Sequence, residues 1–197
     1  MNLTPEELLN KYLEKNAPHA NEVKRLCTML FEELSKNILE MPQRELEMLQ
    51  AAALLHDIGY SVEAKSHNKH SRDIILKEGI KGFADEEIKI IACIVRYHRG
   101  NLPDKNRHTL YGSFSKTERK IIKRLAGILR FADGLDIEHE PLIEKIITEY
   151  DSNDHILKII LIPKPNIKGL NISKSLRKRD LLELGFKCQS VVFIRTK

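Results

Sequence analysis

The pair His56-Asp57 closes the most apolar helical stretch of the chain. From Met48 to Ile58, eight of eleven residues are apolar, and they cover every side of a helix. Such a helix belongs in the centre of a fold. A carboxylate at its end must find a cation or strong donors, because an unpaired buried charge is costly. An imidazole next to a carboxylate offers mixed nitrogen and oxygen ligands to a divalent metal.

Other stretches repeat the same oddity. His19 heads the apolar line Val23, Leu26, Leu30; His98 ends the line Ile88, Ile91, Val95; Asp133 ends the line Ile122, Ala126, Leu129. Each step is three or four residues, so each polar group faces the core side of its helix. His70 opens a further helix and shares a face with Ile74. Helix bundles build metal sites in this way, from side chains on facing helices. Blander readings exist for each residue alone. A single inward His is usually a hydrogen-bonded core residue, Asp133 can pair with Arg130 one turn earlier, and His67 reads as a surface residue on a polar loop. The set His19, His56, Asp57 and Asp133 is harder to explain residue by residue.

The elements that carry these groups are mostly helical. Thr4-Pro5-Glu6-Glu7 is a capping box with Pro at the first helical position, opening a helix over about 5–15. A second helix, with Pro18 in its first turn, reaches about residue 39, and a third runs from Pro42 to Ile58 with Gly59 as its stop. Further helices are predicted over 69–77, 85–98 and, from the capping box Ser115-Lys116-Thr117-Glu118, to about 136. Strand-like runs come only later, at Ile156–Ile162 and Ser190–Ile194, with a short helix between Ser173 and Leu184. The expected fold is mainly all-α: a helical body over 1–145 and a small α+β appendage over 146–197.

With 197 residues, 42% hydrophobic and 31% charged, the chain is an ordinary globular sequence that can bury a core without staples. Trp is absent and aromatics are 6%, which argues against stacking platforms for single-stranded nucleic acid. Cys27, Cys93 and Cys188 are odd in number and widely spaced, and Cys27 and Cys93 read as small buried hydrophobes in a reducing compartment. There is no basic leader and no apolar run of membrane-spanning length, so a cytoplasmic, soluble protein without a membrane partner is expected. The net charge of +5 is uneven: residues 151–197 hold ten Lys/Arg against four acids, leaving the rest at −1. A basic tail attracts polyanions such as phosphorylated substrates, polyphosphate or nucleic acid, or is a solvated face.

The order His19 … His56-Asp57 … Asp133 resembles the HD superfamily of metal-dependent phosphohydrolases. Leu54-Leu55-His56-Asp57-Ile58-Gly59-Tyr60, His67-Asn68-Lys69-His70-Ser71, Val95-Arg96-Tyr97-His98-Arg99, and Leu129 to Asp136 followed by His139 resemble one branch more closely. That branch is the C-terminal HD module of exopolyphosphatase/guanosine pentaphosphate phosphatase proteins. The β-rich tail extends the likeness over nearly the whole chain. In that family the chemistry on polyphosphate or guanosine pentaphosphate belongs to an N-terminal actin-like domain, which these residues do not supply. The resemblance therefore implies a stand-alone HD helical bundle and its metal site only. It also departs at Tyr60, where other HD proteins carry a lysine; Lys65, Lys69 or Arg99 can compensate.

The resemblance implies that His19, His56, Asp57 and Asp133 bind a first divalent ion. Asp57 then bridges to a second, completed by His70 and His98. Mn, Mg, Fe, Co or Ni suit such ligands. A bound ion makes hydroxide available near neutral pH for attack on a phosphoester or phosphoanhydride. Lys69, Arg99 and Arg130 can hold the phosphoryl oxygens, and with one metal His70 or His98 is free for proton transfer. Two rival readings stay open. One is a non-catalytic module binding a nucleotide or polyphosphate; the other is nucleic-acid binding by Lys174, Arg177, Lys178 and Arg179. The tail's strands can also pair across a homodimer.

Overall fold

The computed structural model describes residues 2–167 and 169–196; Lys168 and Lys197 of the basic tail lie outside the described residues. The helices are α1 Pro5–Leu13, α2 Ala17–Asn37, α3 Gln43–Leu55, α4 His67–Glu78, α5 Asp85–Arg96, α6 Thr109–Ser113 and α7 Lys116–Leu135. Strands β1 Ile143–Asp151 and β2 Ile156–Pro163 follow, then α8 Ser173–Lys178, α9 Asp180–Phe186 and β3 Gln189–Ile194. The fold is mainly α with a small α+β C-terminal part, as the sequence pattern predicts. No helix among the described residues is long and apolar enough to cross a membrane.

Both sequence capping boxes form. Glu7 accepts from Thr4 N and donates its own amide to Thr4 Oγ1, and Glu118 and Ser115 do the same at α7. Each such cap stabilises its helix by about 1 kcal/mol. The apolar helix α3 is the central element, packed by α1, α2, α5 and α7. Its buried residues run without a gap from Ala51 to Leu55. Cys27, Cys93 and Cys188 are all buried free thiols.

Helix α3 stops at Leu55, three residues before the predicted end, and Ile58–Ser61 forms a 3₁₀ turn. Gly59 does not act as a left-handed cap. It is there for closeness: a Cβ at this position would lie 2.0 Å from His67 O and 2.5 Å from Ser71 N. The first turn of α4 rests directly on the Gly59 backbone. Gly59 N donates to Ser71 Oγ (2.8 Å), and Ser71 Oγ donates to His56 O (2.8 Å). This clamp ties the His56-Asp57 turn to α4.

The sheet has the order β1-β2-β3, with β1 and β2 antiparallel and β2 and β3 parallel through α8 and α9. Strand β1 has no counterpart in the sequence-based expectation. A register shift between Ile143 and Lys145 breaks the alternation, so the buried positions fall at Ile143, Ile146 and Thr148. The expected boundary at residue 145 therefore falls inside a strand. Strand β1 is also tied to α2: Arg25 Nη2 donates to Ile143 O (2.6 Å), and Thr148 N donates to Glu33 Oε2 (2.8 Å). Leu157, Ile159, Leu181 and Leu182 belong to the same core as the helices. The C-terminal part reaches the site through α8, which is pressed onto the end of α7. A Cβ on Gly134 would lie 2.5 Å from Ser175 Cα.

Candidate metal centre

Three helices and two turns bring His and Asp side chains to one cavity of about 700 Å³. His19 comes from the first turn of α2, His56 and Asp57 from the turn after α3, and Asp133 from the last turn of α7. His67 opens α4 and His98 follows α5. All except Asp57, which is half-buried, are buried.

The hydrogen bonds around the imidazoles share one pattern. Nδ1 of His56, His67 and His98 lies 2.7, 2.9 and 2.7 Å from the carbonyls of Ala53, Ala64 and Val95. His19 Nδ1 lies 2.6 Å from Asp136 Oδ2. An oxygen partner fixes the proton on Nδ1 and leaves Nε2 for the cavity, the arrangement that orients metal-binding histidines.

The inward atoms form two adjoining groups. Ligand atoms of His19, His56 and Asp133 lie within 4.8 Å of one another, as do those of Asp57, His67 and His98. Asp57 faces both: Oδ1 is 3.2 Å from His67 Nε2 and 3.7 Å from His98 Nε2, while Oδ2 is 3.4 Å from His56 Nε2 and 3.9 Å from His19 Nε2. His67 Nε2 and His98 Nε2 stand 3.2 Å apart. His56 Nε2 is buried with no hydrogen-bond partner. A buried orphan nitrogen among carboxylates and facing imidazoles is what a cation resolves, so the residues present fit a divalent metal.

The buried groups also shift one another's ionisation. Burial pushes the His19 imidazole down, but hydrogen bonds to Asp133 and Asp136 and the charges of Asp133 and Asp57 outweigh it and raise its pKa to about 9. Burial pushes the Asp133 carboxyl up, yet the His19 hydrogen bond and the Lys178 charge hold it well below the ordinary carboxylate range. Burial keeps the His98 imidazole neutral far below its usual pKa, and lowers His67 as well. Lys178, packed against Asp133, is lowered by its own burial.

These directions set a pH prediction. His19 is raised in the folded state, so its contribution to the chelated protein is fully present below about pH 6.5 and lost as pH rises through 9. The Tm of chelator-treated protein is expected to fall over that window, and a His19→Ala variant to show a flatter profile. Metal affinity should rise over the same window, because a cation must displace the His19 proton. A chelated wild type whose Tm is constant across it would contradict the assignment.

Asp136 acts through His19. Its Oδ2 holds His19 Nδ1, while its Oδ1 is buried without a partner. Asp136→Asn is expected to keep the fold and weaken metal binding by about 10- to 100-fold. Metal titration monitored by calorimetry checks this; an unchanged affinity would remove the orienting role.

Of the residues singled out from sequence, His19, His56, Asp57, His98 and Asp133 come together, and Arg99 lines the same cavity. His70 does not join them: it is half-buried outside the cavity, with Nε2 3.4 Å from Glu63 Oε2. His67 takes the inward place that His70 was expected to hold, and the expected surface location of His67 is corrected. The reason is the helix start. Helix α4 begins at His67, so its inward stripe is His67, Ser71, Ile74 and Ile75. Lys69 is exposed and away from the cavity lining. Arg130 is turned the other way: it pairs with Asp180, not Asp133, at 2.9 and 3.1 Å, and Nη1 donates to Gly100 O at 2.9 Å.

Sequence reasoning missed Asp136, although the stripe through Leu129 and Asp133 continues to it in one more step of three. It also placed Lys174 and Lys178 on a basic surface. Both ammonium groups instead enter the cavity: Lys174 Nζ lies 3.2 Å from Asp133 Oδ1, and Lys178 Nζ contacts Asp133 Oδ2. Asn16 Nδ2 donates to Asp57 Oδ2 at 3.3 Å. His139, in a left-handed conformation at φ 55°, sets its ring 4.4 Å from that of His19.

Residues 3–183 match the family model described as Ppx/GppA phosphatase, domain III. A guanosine-5'-triphosphate,3'-diphosphate pyrophosphatase of Pseudoalteromonas translucida (strain TAC 125) is 32% identical over 83 residues, covering 42% of this chain and 17% of that protein. A protein of the same name from Pseudoalteromonas atlantica (strain T6c / ATCC BAA-1087) is 26% identical over 140 residues, covering 71% of this chain and 27% of that protein. The matches thus span about a quarter or less of those relatives. Matched to that model over residues 3–183, nearly its whole length, the chain belongs to the Ppx/GppA phosphatase domain III family.

Proposed function

We propose that this chain is an HD-type, metal-dependent phosphohydrolase that cleaves a phosphoester or phosphoanhydride bond of a nucleotide. One observation carries the proposal: four imidazole Nε2 atoms and the carboxylates of Asp57 and Asp133 converge in a cavity whose rim is cationic. His19, His56 and Asp133 would hold one divalent ion and Asp57, His67 and His98 a second, with Asp57 between them. Bound there, a divalent cation supplies Lewis-acid charge and lowers the pKa of a water it holds.

The chain's own residues supply the rest. Asp136 keeps His19 in one tautomer and orientation, and the carbonyls of Ala53, Ala64 and Val95 do the same for the other three rings. Lys174 and Lys178 on one wall and Arg99 on another can take phosphoryl oxygens. Lys174 and Lys178 pair with Asp133, and with that carboxylate serving as a metal ligand both ammonium groups would be available to substrate. Tyr60 stacks on His67, with ring centroids 3.9 Å apart, and shields that side of the site from water. The names of the two relatives support a guanosine polyphosphate as the first substrate to try.

The direct test loads the protein with Mn, Mg, Fe, Co or Ni and measures phosphate release from mono-, di- and cyclic nucleotides, guanosine polyphosphates and short polyphosphates. Turnover above that of Asp57→Ala with at least one pair is expected. Stoichiometric metal with no turnover above the variant on any substrate defeats the catalytic reading. Lys178→Met is expected to lower kcat/KM by about 100-fold through loss of one charged phosphoryl contact, with metal content unchanged. An unaltered kcat/KM would take Lys178 out of the substrate site.

A further inference from the structure

A second cavity, of about 990 Å³, opens between the N-terminal half of α7, the loop 101–108 and the end of α9. Its lining is strongly cationic and separate from the metal centre. Lys116, Lys120 and Lys123 stand on one face of α7, Lys105 faces them from the loop, and Lys187 closes the end. None of these five ammonium groups has an ion-pair or hydrogen-bond partner among the described residues. The single acid of the lining, Asp104, already pairs with Arg107 at 3.5 Å. The walls are set in place: Arg119 donates to Phe114 O, and a Cβ on Gly112 would lie 2.4 Å from Lys105 O. Lys187 holds a left-handed backbone, φ 55°. Gathering unpaired like charges in one groove is unfavourable unless a polyanion fills it.

We infer that this groove binds the phosphate backbone of a nucleic-acid duplex. Lys116 to Lys123 spans about 10 Å along α7. One strand of a duplex presents a phosphate about every 3.4 Å of axis, hence about three over that length, which matches the three ammonium groups of α7, with Lys105 and Lys187 placed for phosphates beside them. Tyr111 and Phe186 of the lining are buried at 4% and 6% exposure, and the half-buried His108 ring is held at Nδ1 by Tyr97 Oη and the Asp104 amide, so the groove presents no exposed large ring for stacking on unpaired bases. That favours backbone contact with a duplex over a single strand. The groove lies near the start of α7 and the metal centre at its end, so the two can be tested apart.

The test is fluorescence anisotropy with a 20-base-pair RNA duplex and a DNA duplex of the same sequence across a salt series. Five neutralised phosphates give a slope of log K against log salt of about −4.5. The variant Lys116→Glu/Lys120→Glu/Lys123→Glu should bind more weakly with a slope of about −2. Lys187→Glu should lose about one unit of slope, and Asp57→Ala should bind as wild type. Tighter binding of the RNA duplex assigns RNA as the ligand, and equal binding assigns the backbone whatever the sugar. A salt-independent wild type, or charge-reversed variants that bind like wild type, overturns the inference. So does tighter binding of tripolyphosphate or poly-glutamate, since exposed Leu39, Leu102 and Leu184 on the rim would also suit an acidic peptide.

Discussion

Asp57→Ala is expected to lose bound metal and to lower phosphate release by about 1,000-fold, the several kcal/mol that a correctly held divalent ion supplies. Among the described residues, Asp57 is the carboxylate that faces both groups of imidazoles, with Oδ1 toward His67 and His98 and Oδ2 toward His56 and His19. Removing it leaves His67 and His98 with no carboxylate, and His19 and His56 with Asp133 alone. Asp133 cannot take its place, because it sits on the far side beside Lys174 and Lys178. The variant should still fold, since Asp57 is half-buried and its partners are the site itself. In wild type, a chelator should lower the Tm by removing a ligand bound only by the native state. In Asp57→Ala that chelator response should vanish. Metal content by mass spectrometry decides the matter: a variant that keeps wild-type metal and turnover would end the metal-centre assignment.

Gly59→Ala is expected to be the most damaging methyl that can be added near the site. The new Cβ would sit 2.0 Å from His67 O, 2.5 Å from Ser71 N and 2.9 Å from His67 C, all backbone. None of these can rotate away, so α4 must move. Overpacking of this kind costs about 1–3 kcal/mol, and a backbone clash at this distance belongs at the upper end. Loss of the Gly59 to Ser71 to His56 chain of hydrogen bonds adds to it. His67 would be carried out of reach of Asp57, so one metal position should be lost along with the stability. Gly82→Ala is the control. It has φ +88° but nothing within 4 Å of its Cβ, so it tests conformational strain alone. Denaturant unfolding of the two variants settles the point: a Gly59→Ala protein no less stable than Gly82→Ala would show that the close approach does not matter.

How much of the site was legible follows from where its information lies. His19, His98 and Asp133 each continue an apolar stripe on their own helix, and helical periodicity is a local property that one segment displays unaided. His67 failed that test because its helix start carries no side-chain cap, Ser66 making no capping hydrogen bond. With the start placed two residues late, the inward face of α4 rotated and His70 took its place. Gly59 looked like a helix stop because glycine usually ends helices through a left-handed backbone. Its actual role, a contact between backbones, has no signature in its own neighbourhood.

The amino-acid sequence by itself determined the helical body, its capped starts at Thr4 and Ser115, and the inward set His19, His56, Asp57, His98 and Asp133. Local hydrogen bonding and hydrophobic periodicity suffice for all of these. The tertiary structure alone decided that Lys174 and Lys178 enter the cavity, because α8 can press on α7 only across the bare backbone of Gly134. It likewise gave Arg130 to Asp180, 50 residues away, and joined His19 to Asp136, 117 residues away. Those pairings depend on which elements pack together, and packing is set by the whole core at once.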